Sequence, residues 1–348
     1  MTAVSLADRL RAVGQEAGLD ALGFAATEVF ASTREDLTER KAAGLHGGMQ
    51  FTYRHPDRST DPGRIVPGAR TLVVGARSYR RTAPTSVDDG VTGRVAAYAW
   101  RDHYADLRAG LSAVADVLVA EGWQARVVAD DNAIVDREAA VRAGLGWYGK
   151  NSMVLLPDEG SEFVLGSVVT DADLPVADER VADGCGPCRR CVDACPTGAI
   201  VGPGTIDARR CLAWLVQAPG DFPAEFREAL GDRIYGCDDC QDICPVNRRS
   251  AGGGAPPAED DVRTRVDLVA LLRADDETLL ADHGRWYIPE RDPRYLRRNA
   301  LVALGNGGPH DDPEVRAALA AHRDGGDDLL ARHADWALDR LADRAGAP

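Results

Sequence analysis

Long uncharged apolar stretches are missing from the sequence. No segment approaches the roughly eighteen consecutive apolar residues that a membrane-spanning helix requires. The first twenty residues alternate charged and aliphatic side chains, whereas a secretory signal would have an apolar centre. These absences exclude a membrane-spanning protein of the helical type and predict a cytoplasmic location without membrane association.

The sequence is also short of positive charge. Its 41 lysines and arginines are outnumbered by 55 aspartates and glutamates, which gives a net charge of -14. Proteins that coat nucleic acid without sequence preference depend on lysine and arginine contacts with phosphates. That class is therefore excluded, and an RNA substrate would need a local basic patch. The 45% of apolar residues is ordinary for a folded protein, and a chain of 348 residues is long enough for two or three packed units.

Several cofactor and cross-link signatures are missing as well. No Gly-x-Gly-x-x-Gly follows a predicted strand, so a Rossmann dinucleotide site has no support. No Asp-x-His-x-x-Gly is present, and a corrin bound through that histidine loop is not indicated. Cysteine is absent from the first 184 and the last 104 residues, so disulfides could not stabilise most of the chain. Metal binding is the better interpretation of the cysteines that are present.

All eight cysteines fall in two motifs with a lone cysteine between them. The first motif, Cys185-x2-Cys188-x2-Cys191-x3-Cys195-Pro, is the bacterial ferredoxin run, in which three thiolates bind one cubane and the fourth cysteine ligates the other cluster. The second motif, Cys237-x2-Cys240-x3-Cys244-Pro, is one cysteine short, and Cys211 is left to complete it.

The motifs predict two [4Fe-4S] clusters with crossed ligands. The first cluster is assigned to Cys185, Cys188, Cys191 and Cys244, and the second to Cys195, Cys211, Cys237 and Cys240. Structural zinc is the alternative, but it usually takes two separated Cys-x2-Cys pairs and does not require a third cysteine or the Cys-Pro endings. Two clusters in one segment predict a protein that transfers single electrons.

Apolar periodicity predicts an α/β first part and a helical tail. The predicted elements of the first part are a helix that carries Leu6, Leu10 and Val13 and ends near Gly18, a strand over 71–76, a helix over 104–121, a strand at ARVVAD, a helix over 136–144, and a β-hairpin formed by MVLLP and FVLGSVVT. A linker is predicted over 250–260. In the tail, residues 300–304 recur in outline at 337–341, like two turns of a helical repeat.

Several segments carry a resemblance to a known family: HGGMQFTYRHPDRSTDP, VPGARTLVV, AYAWRDHY, VADDNAIVDREAAVR and RYLRRNALVALGN. It is most specific in AGLGWYGKNS and in the cysteine blocks. On these segments the chain resembles the epoxyqueuosine reductase family over roughly residues 5 to 305.

This resemblance implies a cobalamin-dependent enzyme that reduces epoxyqueuosine to queuosine at the wobble position of tRNA. Electrons from an external donor would pass through the two clusters to cobalamin. The implied fold is α+β, with a nitroreductase-like cobalamin-binding α/β domain over 1–175, a ferredoxin-like double-cubane module over 176–250 and a HEAT-like helical segment over 261–348. We expect a monomer.

Residue roles follow from the same resemblance. Asp130 matches the proposed proton donor of the family, and Asp131 is an alternative one position away. Arg58, Tyr98 and the turn formed by Lys150, Asn151 and Ser152 fall in segments that line the cobalamin site.

Two questions stay open from the sequence. The arginines Arg291, Arg294, Arg297 and Arg298 indicate either a salt-bridged surface helix or a contact with the RNA backbone. The overall function has two alternatives: a related corrinoid reductase of a small molecule, or an electron-transfer protein without chemistry of its own.

Overall fold

A computed structural model describes residues 4–80, 90–250 and 262–346. The predicted linker over 250–260 lies outside the described residues except for the backbone of its first residue. In the part of the chain that is described, no helix is both long and apolar enough to cross a membrane. The predicted α+β class is confirmed, since mixed sheets and helices alternate along the chain.

The first part is built on a four-stranded antiparallel sheet. Its strands are β1 (Ala21–Ala26), β2 (Thr71–Ser78), β4 (Ala125–Ala129) and β7 (Phe163–Thr170), and their order in the sheet is β1-β2-β7-β4. The predicted strand at 71–76 is confirmed as part of β2, and the predicted strand ARVVAD as β4. Residues of β2 and β7 are buried on both faces, because helices cover the two sides of the sheet.

Helices pack on both faces of this sheet. On one face α1 (Leu6–Glu16) and α4 (His103–Ala120) bury Leu10, Leu107 and Leu111 against it. On the other face α5 (Asp136–Arg142) packs beside Phe30 and Ile134. All three helices agree with the predictions from apolar spacing. The remaining helices before the cysteine segment are α2 (Ala31–Ala42) and α3 (Pro56–Ser59).

The predicted hairpin of MVLLP and FVLGSVVT is wrong. Strand β6 (Val154–Leu155) pairs with β5 (Trp147–Tyr148), and β7 lies between β2 and β4. Only a single bridge, between Leu156 and Gly160, forms in the intervening turn. A central strand has both of its hydrogen-bonding edges filled by neighbours, which leaves no edge for a local partner.

A second sheet joins distant parts of the sequence. Strand β3 (Thr92–Val95) is parallel to β10 (Arg233–Tyr235) and antiparallel to β11 (Arg265–Asp267). The three strands come from before the cysteines, from the cysteine segment and from the tail.

The cysteine segment contains short helices and one small hairpin. Its hairpin is formed by β8 (Ile200–Gly202) and β9 (Thr205–Ile206). Its helices are α6 (Arg190–Asp193), α7 (Leu212–Leu215), α8 (Arg227–Leu230), α9 (Asp239–Asp242) and α10 (Pro245–Ser250). Short 3-10 turns lie at Pro62–Arg64, Ala97–Ala99, Ala224–Phe226 and Pro289–Arg291.

The tail is helical, as predicted. Residues 300–304 and 337–341 lie on two helices that pack against each other, and Leu301, Leu304 and Leu341 are buried between them and their neighbours. The helices are α11 (Leu268–Arg273), α12 (Asp276–His283), α13 (Arg294–Gly307), α14 (Pro313–Arg323) and α15 (Asp328–Gly346).

Candidate functional site

Four cysteine thiols approach one another around Cys191. Burial raises the pKa of Cys191, and the nearby thiols of Cys185, Cys244 and Cys188 raise it further. Three of these four come from the first motif and one comes from the end of the second. The chain therefore brings Cys244 back to the first motif.

The other four thiols form a second group. Burial raises the pKa of Cys237 to about 12, and Cys211 is among its neighbours. Burial raises the pKa of Cys211, which interacts with Cys195. Cys240 interacts with Cys237, Cys211, Cys191 and Cys195, so its sulfur also lies toward the first group. Among the described residues, no three His, Cys, Asp or Glu side chains are grouped closely enough to hold a single metal ion.

The surroundings of the thiols fit iron-sulfur clusters. The backbone N–H of Ala199 donates to Cys195 Sγ at 3.2 Å, and the N–H groups of Trp214 and Ala213 donate to Cys211. In the first group of thiols, the apolar side chains of Trp147, Leu155 and Val246 pack against Cys185 and Cys244. Amide donors and an apolar shell are the features by which proteins hold such clusters and set their potentials.

Lys150 and Asn151 contact the backbone of the cysteine segment. Lys150 Nζ donates to the carbonyl oxygens of Gly186 (2.6 Å) and Cys188 (2.8 Å). Asn151 is buried, and its Nδ2 donates to the carbonyl of Cys240 at 3.5 Å. Lys150 is one of only two lysines in the chain, and its ammonium carries three donors, two of which these carbonyls use. This turn thus touches the backbone of both cysteine motifs.

The glycines before Lys150 are explained by packing within the chain. A Cβ on Gly146 would lie 2.1 Å from the carbonyl oxygen of Leu155, and one on Gly149 would lie 2.4 Å from Leu155 Cδ1. Because these two glycines have no side chains, β5 and β6 can pair closely. The other predicted residue of the turn, Ser152, has a left-handed backbone with φ of 65°, and its carbonyl accepts a hydrogen bond from Arg137 at 3.1 Å.

Asp130 lies immediately after β4 and is exposed. Its φ of 54° is left-handed, a conformation that costs energy in a residue other than glycine and occurs often at functional sites. Its side chain is reached by solvent, yet protein surrounds it on most sides. Burial raises its pKa, Arg108 opposes this shift, and the acids Asp102 and Asp131 add to it. The carboxyl therefore holds its proton to a higher pH than an ordinary aspartate does.

Asp131 has a different role in the backbone. Its Oδ1 accepts a hydrogen bond from the N–H of Ala133 at 2.8 Å, and the residue is exposed. A side chain that closes a turn in this way stabilises the loop. The geometry therefore favours Asp130 over its neighbour as the chemical group.

A second acid near Asp130 is not apparent from the sequence. Burial raises the pKa of Asp136 well above its usual value, and Asp130 is the next largest cause. Its Oδ1 is buried without a hydrogen-bond partner within the described residues. The phenol of Tyr104 interacts with both acids and has a raised pKa, chiefly because of burial. An acid at the start of a helix, six residues after Asp130, was the only available signal.

A wall of aromatic side chains, formed by Tyr98, Tyr235 and Trp286, lies near Asp130. Tyr98, a predicted cofactor contact, lies 6.2 Å from Tyr235 between ring centroids, and burial raises its pKa well above the usual value. Tyr235 stacks on Trp286 at 4.6 Å. Burial raises the pKa of Tyr235 to about 12, and Asp130 contributes to the shift. The sequence did not predict Tyr235 and Trp286 at this site, because Tyr235 lies in the cysteine segment and Trp286 in the tail.

Arg58 lines a recess of about 200 Å³ together with Phe51, Arg54, His55, Ser59 and Asn132. Ser59 Oγ donates to the carbonyl of Asn132 at 2.7 Å, which connects this recess to the loop that begins at Asp130. The recess presents cationic groups beside the candidate proton donor.

Two buried polar networks hold the cysteine segment in place. Gln241 Nε2 donates to the hydroxyl of Tyr79 (3.0 Å) and the carbonyl of Ser161 (3.1 Å), and Asn247 Oδ1 accepts from the Ser161 N–H at 2.8 Å. These bonds tie the second cysteine motif to the beginning of β7. Both residues lie close to cysteines in the sequence, but only the fold reveals their partners.

The second network starts from the tail. Arg298 is fully buried, and its guanidinium donates to four backbone carbonyls. The acceptors are Leu215 (3.0 Å), Val216 (3.3 Å), Ala218 (2.7 Å) and Gly220 (2.6 Å). Asn299 donates to Val216 (2.8 Å) and Ile234 (3.2 Å). The segments held in this way follow Cys211 and precede Cys237.

Comparisons with known proteins cover nearly the whole chain. Residues 184–247 match the model of the 4Fe-4S double cluster binding domain. The epoxyqueuosine reductase of Xanthomonas campestris is 36% identical over 346 residues, with 95% of each chain covered. That of Escherichia coli K12 is 33% identical, with 98% of this chain and 91% of the relative covered. A crystal structure of an epoxyqueuosine reductase with an epoxyqueuosine-modified tRNA-Tyr stem loop has a TM-score of 0.88 at 28% identity and covers 98% and 91% of the two chains.

Proposed function

The chain belongs to the epoxyqueuosine reductase family, and from this membership we propose that it reduces epoxyqueuosine in tRNA to queuosine. The likeness of sequence and fold over nearly the full length of both chains carries the proposal. The double-cluster domain lies within that length. The protein is accordingly an oxidoreductase of tRNA queuosine biosynthesis.

We propose the crossed cluster assignment for the eight cysteines. Cys185, Cys188, Cys191 and Cys244 bind one [4Fe-4S] cluster, and Cys195, Cys211, Cys237 and Cys240 bind the other. The two groups of interacting thiols support this division. The approach of Cys240 to Cys191 supports close spacing of the clusters, which single-electron transfer requires.

We propose that cobalamin binds beside Asp130, with Arg58, Tyr98, Asp130 and the Lys150–Asn151–Ser152 turn as the residues that hold it. The cationic recess at Arg58 and the aromatic wall at Tyr98 suit a large, partly polar cofactor. Lys150 and Asn151 position their turn against the clusters through their backbone contacts. Bound cobalamin would supply the strongly reducing centre, and the protein would supply geometry and protons.

We propose that Asp130 is the proton donor. Removal of an epoxide oxygen with both C–O bonds broken consumes two electrons and two protons and releases water. The electrons come from an external donor through the clusters. A raised pKa keeps a proton on Asp130 at higher pH than an ordinary aspartate would hold it. Asp131 shapes the loop and takes no part in proton transfer.

We further propose that the protein is cytoplasmic and works as a monomer with an external electron donor. Eight free cysteines suit a reducing compartment. The division into 1–175, 176–250 and 261–348 stays a prediction, with the sheet formed by β3, β10 and β11 connecting the three parts.

The experiment uses anaerobically reconstituted full-length protein with cobalamin, a chemical reductant and tRNA that contains epoxyqueuosine. Digestion of the tRNA and mass spectrometry of its nucleosides should show loss of one oxygen and formation of queuosine. Protein that holds both clusters and cobalamin yet leaves epoxyqueuosine intact would refute the proposal. An electron-transfer protein would also leave epoxyqueuosine intact, but its visible spectrum would show no bound corrin.

A further inference from the structure

An exposed aromatic residue stands beside the aromatic wall in the tail. The side chain of Tyr287 is 55% exposed, whereas its neighbours Trp286 and Ile288 are buried. Its backbone N–H donates to the hydroxyl of Tyr235 at 2.8 Å. Tyr235 in turn interacts with Asp130. Tyr287 is therefore connected to the candidate proton donor through a single intervening residue.

Three exposed arginines lie on or contact the chain within a few residues of Tyr287. Arg263 donates to the carbonyl of Asp282 at 3.1 Å, Arg285 to that of Arg101 at 2.9 Å, and Arg291 to that of Gly284 at 3.2 Å. Within the described ranges, neither Arg263 nor Arg291 forms an ion pair with a carboxylate. Asp282 and Glu290 are exposed on the same segment, which keeps the net positive charge small.

The arginines of the following helix differ from these. Arg294 is paired with Asp292 and Asp327, and Arg297 with Asp276, while Arg298 is buried. The salt-bridged interpretation therefore holds for Arg294 and Arg297. Of the four arginines that indicated an RNA contact in the sequence, only Arg291 remains exposed without a carboxylate partner among the described residues.

We propose that Tyr287, Arg263, Arg285 and Arg291 form a contact surface for the single-stranded loop of the RNA substrate. The inference rests on the proposed function and assigns residues to its substrate. A modified base can reach Asp130 only if the loop around it lies against the neighbouring surface. An exposed aromatic ring offers a platform for an unpaired base, and guanidinium groups bind the adjacent phosphates. Continuity with Asp130 favours RNA over a protein partner here.

The test measures binding of a fluorescently labelled tRNA anticodon stem loop to the cluster-loaded full chain by anisotropy. Loss of one stacked base predicts roughly 5- to 150-fold weaker binding for Tyr287→Ala, while Tyr287→Phe keeps the ring and should bind nearly as the wild type does. Arg285→Gln and Arg263→Gln should each weaken binding and reduce the slope of log K against log salt by about 0.7. The matched control is Arg332→Gln, since Arg332 is exposed but paired with Asp221.

The outcomes separate this inference from the proposed function. Unchanged RNA affinity in Tyr287→Ala, Arg285→Gln and Arg263→Gln would overturn the surface, even if the wild type converts epoxyqueuosine. Unchanged RNA affinity with slower reduction of the clusters by a protein donor would assign the surface to that donor, and this too would overturn the proposal. Weakened binding in the variants, together with a wild type that cannot convert epoxyqueuosine, would support the surface and refute the function.

Discussion

Replacement of Arg298 by methionine tests how the tail supports the cysteine segment. The substitution keeps a long side chain and removes one donor from each of four carbonyls. The carbonyls of Leu215 and Val216 keep the Ala218 N–H and Asn299 Nδ2 as donors, and those of Ala218 and Gly220 can reach water. The buried Oδ1 of Asn299 loses its two hydrogen bonds from Arg298. A buried acceptor left unsatisfied costs about 1–3 kcal/mol, and each of the four other lost bonds costs about 1 kcal/mol. The loss is therefore about 5–7 kcal/mol.

One effect opposes this loss. Burial lowers the pKa of Arg298 to about 10, which corresponds to about 3 kcal/mol of desolvation at neutral pH, where the side chain is charged in both the folded and unfolded states. Methionine relieves that cost. The free energy of unfolding should thus fall by about 2–4 kcal/mol, a large share of the stability of a typical protein.

Urea unfolding followed by circular dichroism under anaerobic conditions measures this change. The iron content should fall as well, because the segment that follows Cys211 loses its anchor. The control is Arg294→Met, whose exposed ion pairs contribute less than about 1 kcal/mol. If Arg298→Met unfolds at the urea concentration of the wild type and keeps all its iron, the tail does not hold the cluster segment as described.

Further predictions concern the clusters, the acids and the cofactor. Cys211→Ala should lose one cluster and keep the other, and iron analysis showing two intact clusters would disprove the crossed assignment. Asp130→Asn should keep clusters and cobalamin but lose about a hundred- to ten-thousand-fold in turnover, whereas Asp131→Asn should be nearly silent; the reverse pattern would move the role to Asp131. Turnover of the wild type should decline as the pH rises through the raised pKa of Asp130, and a pH-independent rate would contradict proton donation by this group. Burial raises the pKa of Asp136 above its usual value of 3.8, so the ionisation of this carboxyl destabilises the folded state at any pH above 3.8. Asp136→Asn should therefore raise the melting temperature at neutral pH but not at a pH below 3.8. The Co(II) form of bound cobalamin should show no nitrogen superhyperfine splitting from a lower ligand in electron paramagnetic resonance, and clear splitting would reveal an axial ligand.

Elements with a local signal were predictable from the sequence. Helix α1 has apolar residues at helical spacing, a capping hydrogen bond from the Asp8 N–H to Ser5, and Gly18 with a φ of 87° just after its end. Strand β2 is a continuous apolar run, as expected for a strand buried on both faces. In each case the residues that determine the element are neighbours in the chain.

Pairing between distant segments was not predictable. The turn signal between β6 and β7 indicated a hairpin, but β7 obtains a more favourable place at the centre of the sheet. Strand β3 has only four residues, and its partners come from beyond the first cysteine motif. No local pattern identifies such partners.

The residues of the candidate site also fall into two classes, those that local spacing predicts and those that only the fold reveals. Fixed spacing identified the cysteines, because the geometry of a cubane imposes it on the sequence. Asp136, Tyr235 and Arg298 have no such spacing, and each gains its importance from burial beside groups far away in the chain. The contact of Lys150 with the first cysteine motif likewise depends on the fold.

The position of β3 also constrains how the chain is made. Its antiparallel partner, β11, lies about 170 residues later in the sequence. At typical synthesis rates of about 5–20 residues per second, β3 waits roughly 10–30 s with an open edge while the ribosome completes the cysteine segment. Open edges invite pairing with other chains, and charged side chains such as that of Arg94 discourage it. A chain that stops before residue 233 leaves both edges of β3 permanently unpaired, and we expect it to aggregate during expression.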